Sequence, residues 1–414
     1  DGNKNRLREQ DIHRIVDTFT RQIDTPRYAR MVPLDEIADP KNDFNLNLPR
    51  YIDSTTPEDL QDIDGHLRGG IPGRDLDALG DYWQVLPAVR AALLESAGRP
   101  GYARLKLPIT EVKTAILGHA EFTAFQKKAT KLFAGWRAAA TRRLTAFGKD
   151  GHPKALIETL AEELLAAFRP APLLDAYDVY QHLMDYWAET MQDDAYLIAA
   201  DGWEARPARV VETDKKGRRK DKGWACDLVP KPLVVARYFA KQQAALDAKQ
   251  AELEATTASL TELEEEHGGE EGALGALEKI AKAEVNARLK EIKGDRESQD
   301  EAAVLRRWLE LSESEADLKR AVKEQDAALD TLAYEKYPTL TEAEIKTLVI
   351  DDKWMARLTV AVQGELDRVS QTLTGRIREL AERYATPLPA LVDEVATLAA
   401  RVDGHLKKMG AVWK

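Results

Sequence analysis

Val362–Tyr384 reads VQGELDRVSQTLTGRIRELAERY, and this stretch decides the fold class. Val362, Leu366, Val369, Leu373, Ile377, Leu380 and Tyr384 follow one another in steps of three and four, the spacing that puts side chains on one face of a helix. Pro387 and Pro389 interrupt the helix. Leu391, Val395, Leu398 and Val402 then resume the same stepping, and Leu406 follows. Two such seams cannot both remain in water, so each predicts a partner helix, in this chain or in another.

Working towards the N-terminus, residues 239–336 are rich in Ala, Glu, Lys, Leu and Arg, the composition of long helices or coiled coil. Leu246, Leu253 and Leu260 lie seven apart; Leu311, Leu318 and Leu332 share one heptad position, and Val322 and Leu329 the other. Glu315 and Gln325 break that second seam, and Gly268-Gly269 with Gly272 interrupt the run, so an antiparallel helical hairpin is expected. Residues 241–335 hold 24 acidic and 13 basic residues, which accounts for the whole net charge of −11. The rest of the chain is neutral, so the acidity does not argue against nucleic-acid contact elsewhere.

Residues 196–238 have another character. Arg209–Glu212 and Trp224–Val229 flank a basic loop, Asp214–Lys222, and predict a β-hairpin with a long tip. Helical periodicity marks Tyr82–Leu94, Glu111–Arg143, Lys154–Phe168 and Leu174–Met191. Near the start, Ile12, Ile15, Val16 and Phe19 predict a helix ended by Pro26. Tyr28–Val32 and the alternation of Phe44, Leu46 and Leu48 then predict short strands.

The expected fold is therefore mainly α: a helical bundle and a coiled-coil hairpin, with a short β element at the N-terminus and a β-hairpin near 205–230. The expected segments are 1–56, a helical domain at 57–195, the hairpin at 196–238, the acidic coiled coil at 239–336 and C-terminal helices at 337–414. No run of about 18 apolar residues predicts a membrane span. The N-terminus reads as an internal cut point, and the lone Cys226 fits a reducing cytoplasm.

Catalytic chemistry is hard to find. The seven histidines form no His-x-x-x-His pair, no Gly-x-Ser-x-Gly elbow occurs, and no Gly-rich turn follows an apolar strand. Neither Asn-Pro-Pro nor Asp-Pro-Pro is present, and no phosphate-binding Gly-x-x-x-x-Gly-Lys-Ser/Thr loop exists. Acidic pairs such as Asp193-Asp194 fit capping or solvated surface. Two cationic clusters could neutralise DNA phosphates. One is Lys127, Lys128, Lys131, Arg137, Arg142 and Arg143, interleaved with Phe133 and Trp136; the other is Lys215, Lys216, Arg218, Arg219, Lys220 and Lys222. The bland alternatives are a solvated helix face and a solvated loop.

Asn3–Val16, NKNRLREQDIHRIV, and Asn42–Ile52, NDFNLNLPRYI, together resemble the segment after the catalytic strands of the modification subunits of type I restriction–modification systems. The resemblance covers about residues 1–95, and the enlarged remainder is similar to C-terminal extensions in some of these subunits. It implies that 1–56 is the tail of an α/β methyltransferase domain and that the parent subunit methylates the exocyclic amine of adenine, using S-adenosylmethionine. It implies a specificity subunit as partner, often a restriction subunit, a second modification subunit, and double-stranded DNA. No catalytic, cofactor-binding or metal-binding residue carries over, so this chain alone is expected to be inactive. Its C-terminal seams, Val362 to Tyr384 and Leu391 to Val402, become candidates for docking the specificity subunit. A stand-alone coiled-coil scaffold, or a DNA-binding protein without enzymatic activity, is the alternative.

Overall fold

The computed structural model describes residues 6–55, 59–213, 217, 219–269, 272–275, 277, 279–295 and 297–410. Its longer helices are α1 (Glu9–Arg21), α2 (Val112–Gly118), α3 (Ala120–Ala146), α4 (Pro153–Phe168), α5 (Ala176–Tyr186), α6 (Gln192–Asp201), α7 (Lys231–Tyr238), α8 (Ala240–His267), α9 (Lys282–Glu291), α10 (Gln299–Lys336), α11 (Ala356–Arg383) and α12 (Leu388–Lys408). The strands are β1 (Ile71–Pro72), β2 (Leu94–Ser96), β3 (Tyr102–Leu105), β4 (Ala208–Thr213) and β5 (Arg219–Ala225). The fold is mainly α with short antiparallel β elements. The chain divides into two compact units, residues 1–199 with 354–414, and residues 200–353.

In the first unit, α11 packs against α2, α3 and α5. All seven seam residues from Val362 to Tyr384 are at most 6% exposed. They meet a core that includes Ile116, Phe122, Leu183 and Trp354. Trp354 is fully buried, so its indole N–H needs a partner, and it donates to Asp194 Oδ2 at 2.8 Å. The expected helix Glu111–Arg143 is divided at Gly118-His119, where His119 caps α3 by accepting from the Glu121 N–H. The expected helix Tyr82–Leu94 is two short ones, Gly80–Val85 and Pro87–Leu93, because Pro87 pushes Leu86 out of helical geometry.

The strands expected at Tyr28–Val32 and Phe44–Leu48 do not form. Thr25 and Ala29 make an isolated bridge, and Leu48–Arg50 is a 3-10 turn. Alternation stabilises a strand only when one face finds cover, and Phe44, Leu46 and Leu48 are 63%, 71% and 69% exposed. The sheet of this unit lies instead at β1–β3–β2, with Ile71 paired to Ala103 and Glu95 to Arg104. Its strands are two to four residues long, too short for a period to register in the sequence.

The second unit is built on the antiparallel pair α8 and α10. Val235, Leu246, Leu329 and Ala333 form a core at one end; Leu274, Val285, Ile292, Leu305 and Trp308 form another. The seam break at Glu315 is a polar rung: its carboxylate accepts from Thr257 Oγ1 at 2.9 Å and pairs with Lys319. Leu311 and Leu318 are buried, but Leu332 on the same heptad position is 38% exposed. A 3.6-residue helix drifts about 20° per heptad, which carries Leu332 off the seam.

Candidate functional site

Helix α1 packs in the reverse of the usual sense. Gln10, His13, Arg14 and Asp17 form its inner face, which is held mainly by polar contacts, with the His13 ring edge-on to Tyr180 at 4.9 Å. The Gln10 N–H donates to Gln181 Oε1 at 2.9 Å, and Arg14 pairs with Asp175 at 3.3 Å. Asp17, 7% exposed, accepts from Arg169 Nη2 at 2.6 Å and from Tyr177 Oη at 2.9 Å. Burial, reinforced by that carboxylate, pushes the Tyr177 phenol up to about 12. The apolar face points outward: Ile12, Ile15, Val16 and Phe19 are 44%, 48%, 56% and 85% exposed. Beside it, Ile15, Phe19, Ile23, Tyr28 and Met31 help line an open hollow of about 710 Å³. Leu34, Phe44, Leu46 and Leu48 of the same N-terminal segment are exposed as well.

A second polar knot ties residues 59–75 and 99–102 to the end of α11. Asp59 accepts from Arg376 at 2.7 Å and also pairs with Arg383; those guanidiniums hold its carboxyl well below the usual range. The Asp62 N–H donates to Tyr384 Oη, whose hydroxyl donates to Asp75 Oδ2, each at 3.1 Å. Gly65 has no room for a side chain, since a Cβ would sit 2.9 Å from the Tyr384 ring. The sequence reading missed this knot, because its Asp and Arg residues are spread over more than 300 positions.

The two halves of the C-terminal seam part company. Val362, Leu366, Val369, Leu373, Ile377, Leu380 and Tyr384 belong to the core of this chain, so they offer no free docking surface. Leu391, Val395, Leu398 and Val402 are 43%, 65%, 47% and 57% exposed, and α12 buries no residue at all.

On α3, Lys127, Lys128, Lys131 and Arg142 are exposed, Arg137 is half-buried, and Arg143 is engaged by Glu163. Phe133 and Trp136 are 5% and 4% exposed, so they are core residues and unavailable for stacking on bases. Of the second cluster, Lys215, Lys216 and Arg218 lie outside the described residues. Arg219, Lys220 and Lys222 stand on strand β5 and not in a loop tip. The hairpin pairs Glu212 with Lys220 and Thr213 with Arg219, so the second strand begins earlier than Trp224. Its strands carry no clear apolar alternation, so only the charge pairing marks them.

Among the described residues, no cluster of His, Cys, Asp or Glu could hold a metal ion, and no helix is long and apolar enough to cross a membrane. Cys226 is buried, and burial pushes its thiol up, so it is a poor nucleophile.

Residues 1–60 match the family model described as N-6 DNA methylase. No curated protein and no solved structure matched the chain. N-6 DNA methylases use S-adenosylmethionine, and the residues described here do not fit that cofactor. Such a site needs a Gly-rich turn following a strand of a doubly wound parallel sheet. Both described sheets are antiparallel; Gly69-Gly70 precede β1, and the glycines after α8 form a turn beside α9.

Proposed function

We propose that this chain is the C-terminal region of the modification subunit of a type I restriction–modification system, whose whole complex methylates adenine N6 in host DNA. In this reading the chain supplies docking surfaces and DNA-backbone contacts, and the catalytic and cofactor-binding groups come from the methyltransferase domain of the same subunit. The carrying observation is the inverted packing of α1. Within the residues that match the methylase family, the polar face is buried and the apolar face is exposed. Full burial of a Leu, Ile, Val or Phe side chain contributes roughly 1.5–3 kcal/mol, so a surface of this kind calls for a cover, and the methyltransferase domain is the cover proposed. The exposed seam of α12 is proposed as the contact with the helices of the specificity subunit. The exposed cations of α3 are proposed to meet DNA phosphates.

The test is reconstitution of the subunit complex with labelled methyl donor. The chain alone should transfer no methyl group and bind no cofactor in calorimetry, whereas the complete complex should label adenine. Ile15→Asp with Phe19→Asp should abolish labelling while leaving the helical circular dichroism of the isolated chain intact. Full activity in that double variant would refute the covering of α1.

A further inference from the structure

The β4–β5 ribbon pairs two strands without burying either. None of the six residues of β4 is buried, and β5 is exposed or half-buried throughout. A two-stranded hairpin is marginal on its own in water, so this one depends on its base. There the Trp224 ring meets the rings of Tyr334 and Tyr337 at 5.4 and 5.3 Å. Its indole N–H donates to Asp330 Oδ2 at 3.0 Å, and Lys231 fixes the same carboxylate at 2.6 Å. The paired strands are anchored at this base and exposed away from it.

Its charges are unevenly spent. Arg209 pairs with Asp221 at 3.0 Å and Lys222 with Glu212 at 2.9 Å, which occupies both acids of the paired strands. Arg219 and Lys220 make no ion pair among the described residues. As neighbours on one strand they point to opposite faces, and the register agrees, since Arg219 lies across from Thr213 and Lys220 from Glu212. Among the described residues, the outer end of the paired strands therefore carries one unspent cation on each face.

That placement selects among polyanions. A flat anionic surface or a single strand meets one face of a ribbon and leaves the other cation in water. A cleft with phosphates on both walls meets both. The major groove of duplex DNA is such a cleft: at about 12 Å wide it admits a two-stranded ribbon, while the minor groove, about 6 Å wide, does not. Six residues of strand span about 20 Å, more than the groove's depth of about 8.5 Å. We propose that the β4–β5 ribbon is an arm that enters the major groove of double-stranded DNA, with Arg219 and Lys220 each facing the phosphates of a different strand. Val211, 52% exposed and on the face of Arg219, can meet the methyl edge of thymine. This rests on the DNA-methylase reading above.

The experiment measures binding of the full chain to a fluorescent duplex of about 30 base pairs over a salt series, with dimethyl sulfate probing of guanine N7, which lies in the major groove. Two variants are compared, Arg219→Glu/Lys220→Glu and the milder Arg219→Gln/Lys220→Gln, both checked by circular dichroism. The wild type should protect N7. The Gln pair should weaken binding at low salt by about tenfold, lower the log–log salt slope by about 1.8, since each phosphate contact contributes about 0.9, and lose the N7 protection; the Glu pair should do more. Wild-type affinity in both variants, or binding that leaves every N7 reactive, would overturn the arm. Either result leaves the methylase reading standing, because methyl transfer by the reconstituted complex tests that separately. A wild-type chain that binds no duplex at low salt would overturn the arm and the proposed α3 contacts together.

Discussion

Helices α11 and α12 carry the same three-four seam of Leu, Val and Ile, and they meet opposite fates. On α11 every seam residue is at most 6% exposed; on α12 the seam residues from Leu391 to Val402 are 43% to 65% exposed. Composition does not separate them, but neighbours do. Helix α11 lies among α2, α3 and α5, whereas the element contacts of α12 are with the short helix Ile63–Arg68. A seam states that a face gains free energy by burial; it does not state what covers it. Helix α1 sharpens the point, because there the apolar stripe faces water and the polar stripe is packed.

The comparison can be broken most forcefully from the α11 side. Leu373→Ala removes a fully buried side chain between helices and should cost about 2–5 kcal/mol of unfolding free energy. Urea denaturation would measure this, and a loss near zero would mean that α11 is no more a core helix than α12. Next, Gly65→Ala drives a methyl against the buried Tyr384 ring at the end of the seam. It should cost about 1–3 kcal/mol, the usual range for overpacking.

A smaller effect concerns pH. His182 Nε2 lies 2.8 Å from Glu365 Oε1, joining α5 to α11, with Arg368 and Asp178 nearby. The hydrogen bond to Glu365 raises the imidazole above its ordinary 6.5, and the same bond lowers Glu365. A raised folded-state value stabilises most below 6.5, and the contribution fades as pH rises through the folded value. His182→Gln should therefore flatten the fall in urea midpoint as pH rises above the ordinary imidazole value; an unchanged profile would remove this link between the helices. Smallest of all, Val395→Ser with Leu398→Ser on α12 should change the stability of the isolated chain by no more than about 0.5 kcal/mol. A larger loss would show that α12 already packs within this chain in solution.

Much of the fold was legible where a period ran long enough. The seam of α11 and the antiparallel pair α8 and α10 follow from spacing, and the hairpin from the basic loop between two short runs. The three-stranded sheet was not, because Ile71-Pro72 and Leu94–Ser96 are too short to display alternation. The false strands at Tyr28–Val32 and Phe44–Leu48 arose because alternation was present and a covering surface was not. The candidate site was legible in its charges and not in their placement. The sequence marked Lys127 to Arg143 and Lys215 to Lys222 as basic, but only three-dimensional packing distinguishes Arg143, spent on Glu163, from the exposed Lys127. The polar docking of α1 was hidden for the same reason, since Asp17 and Arg169 are 152 positions apart.

The central claim is that α11 belongs to this chain's own core while the seam of α12 is left uncovered by it; the cover proposed for α12 is a partner subunit. Hydrogen–deuterium exchange of the amides of both helices, in the chain alone and in a complex with the specificity subunit proposed as its partner, tests it most directly. The account predicts slow exchange in α11 in both states, and fast exchange in α12 that becomes slow only in the complex. Exchange in α12 that is already slow in the chain alone, or that stays fast in the complex, would contradict it.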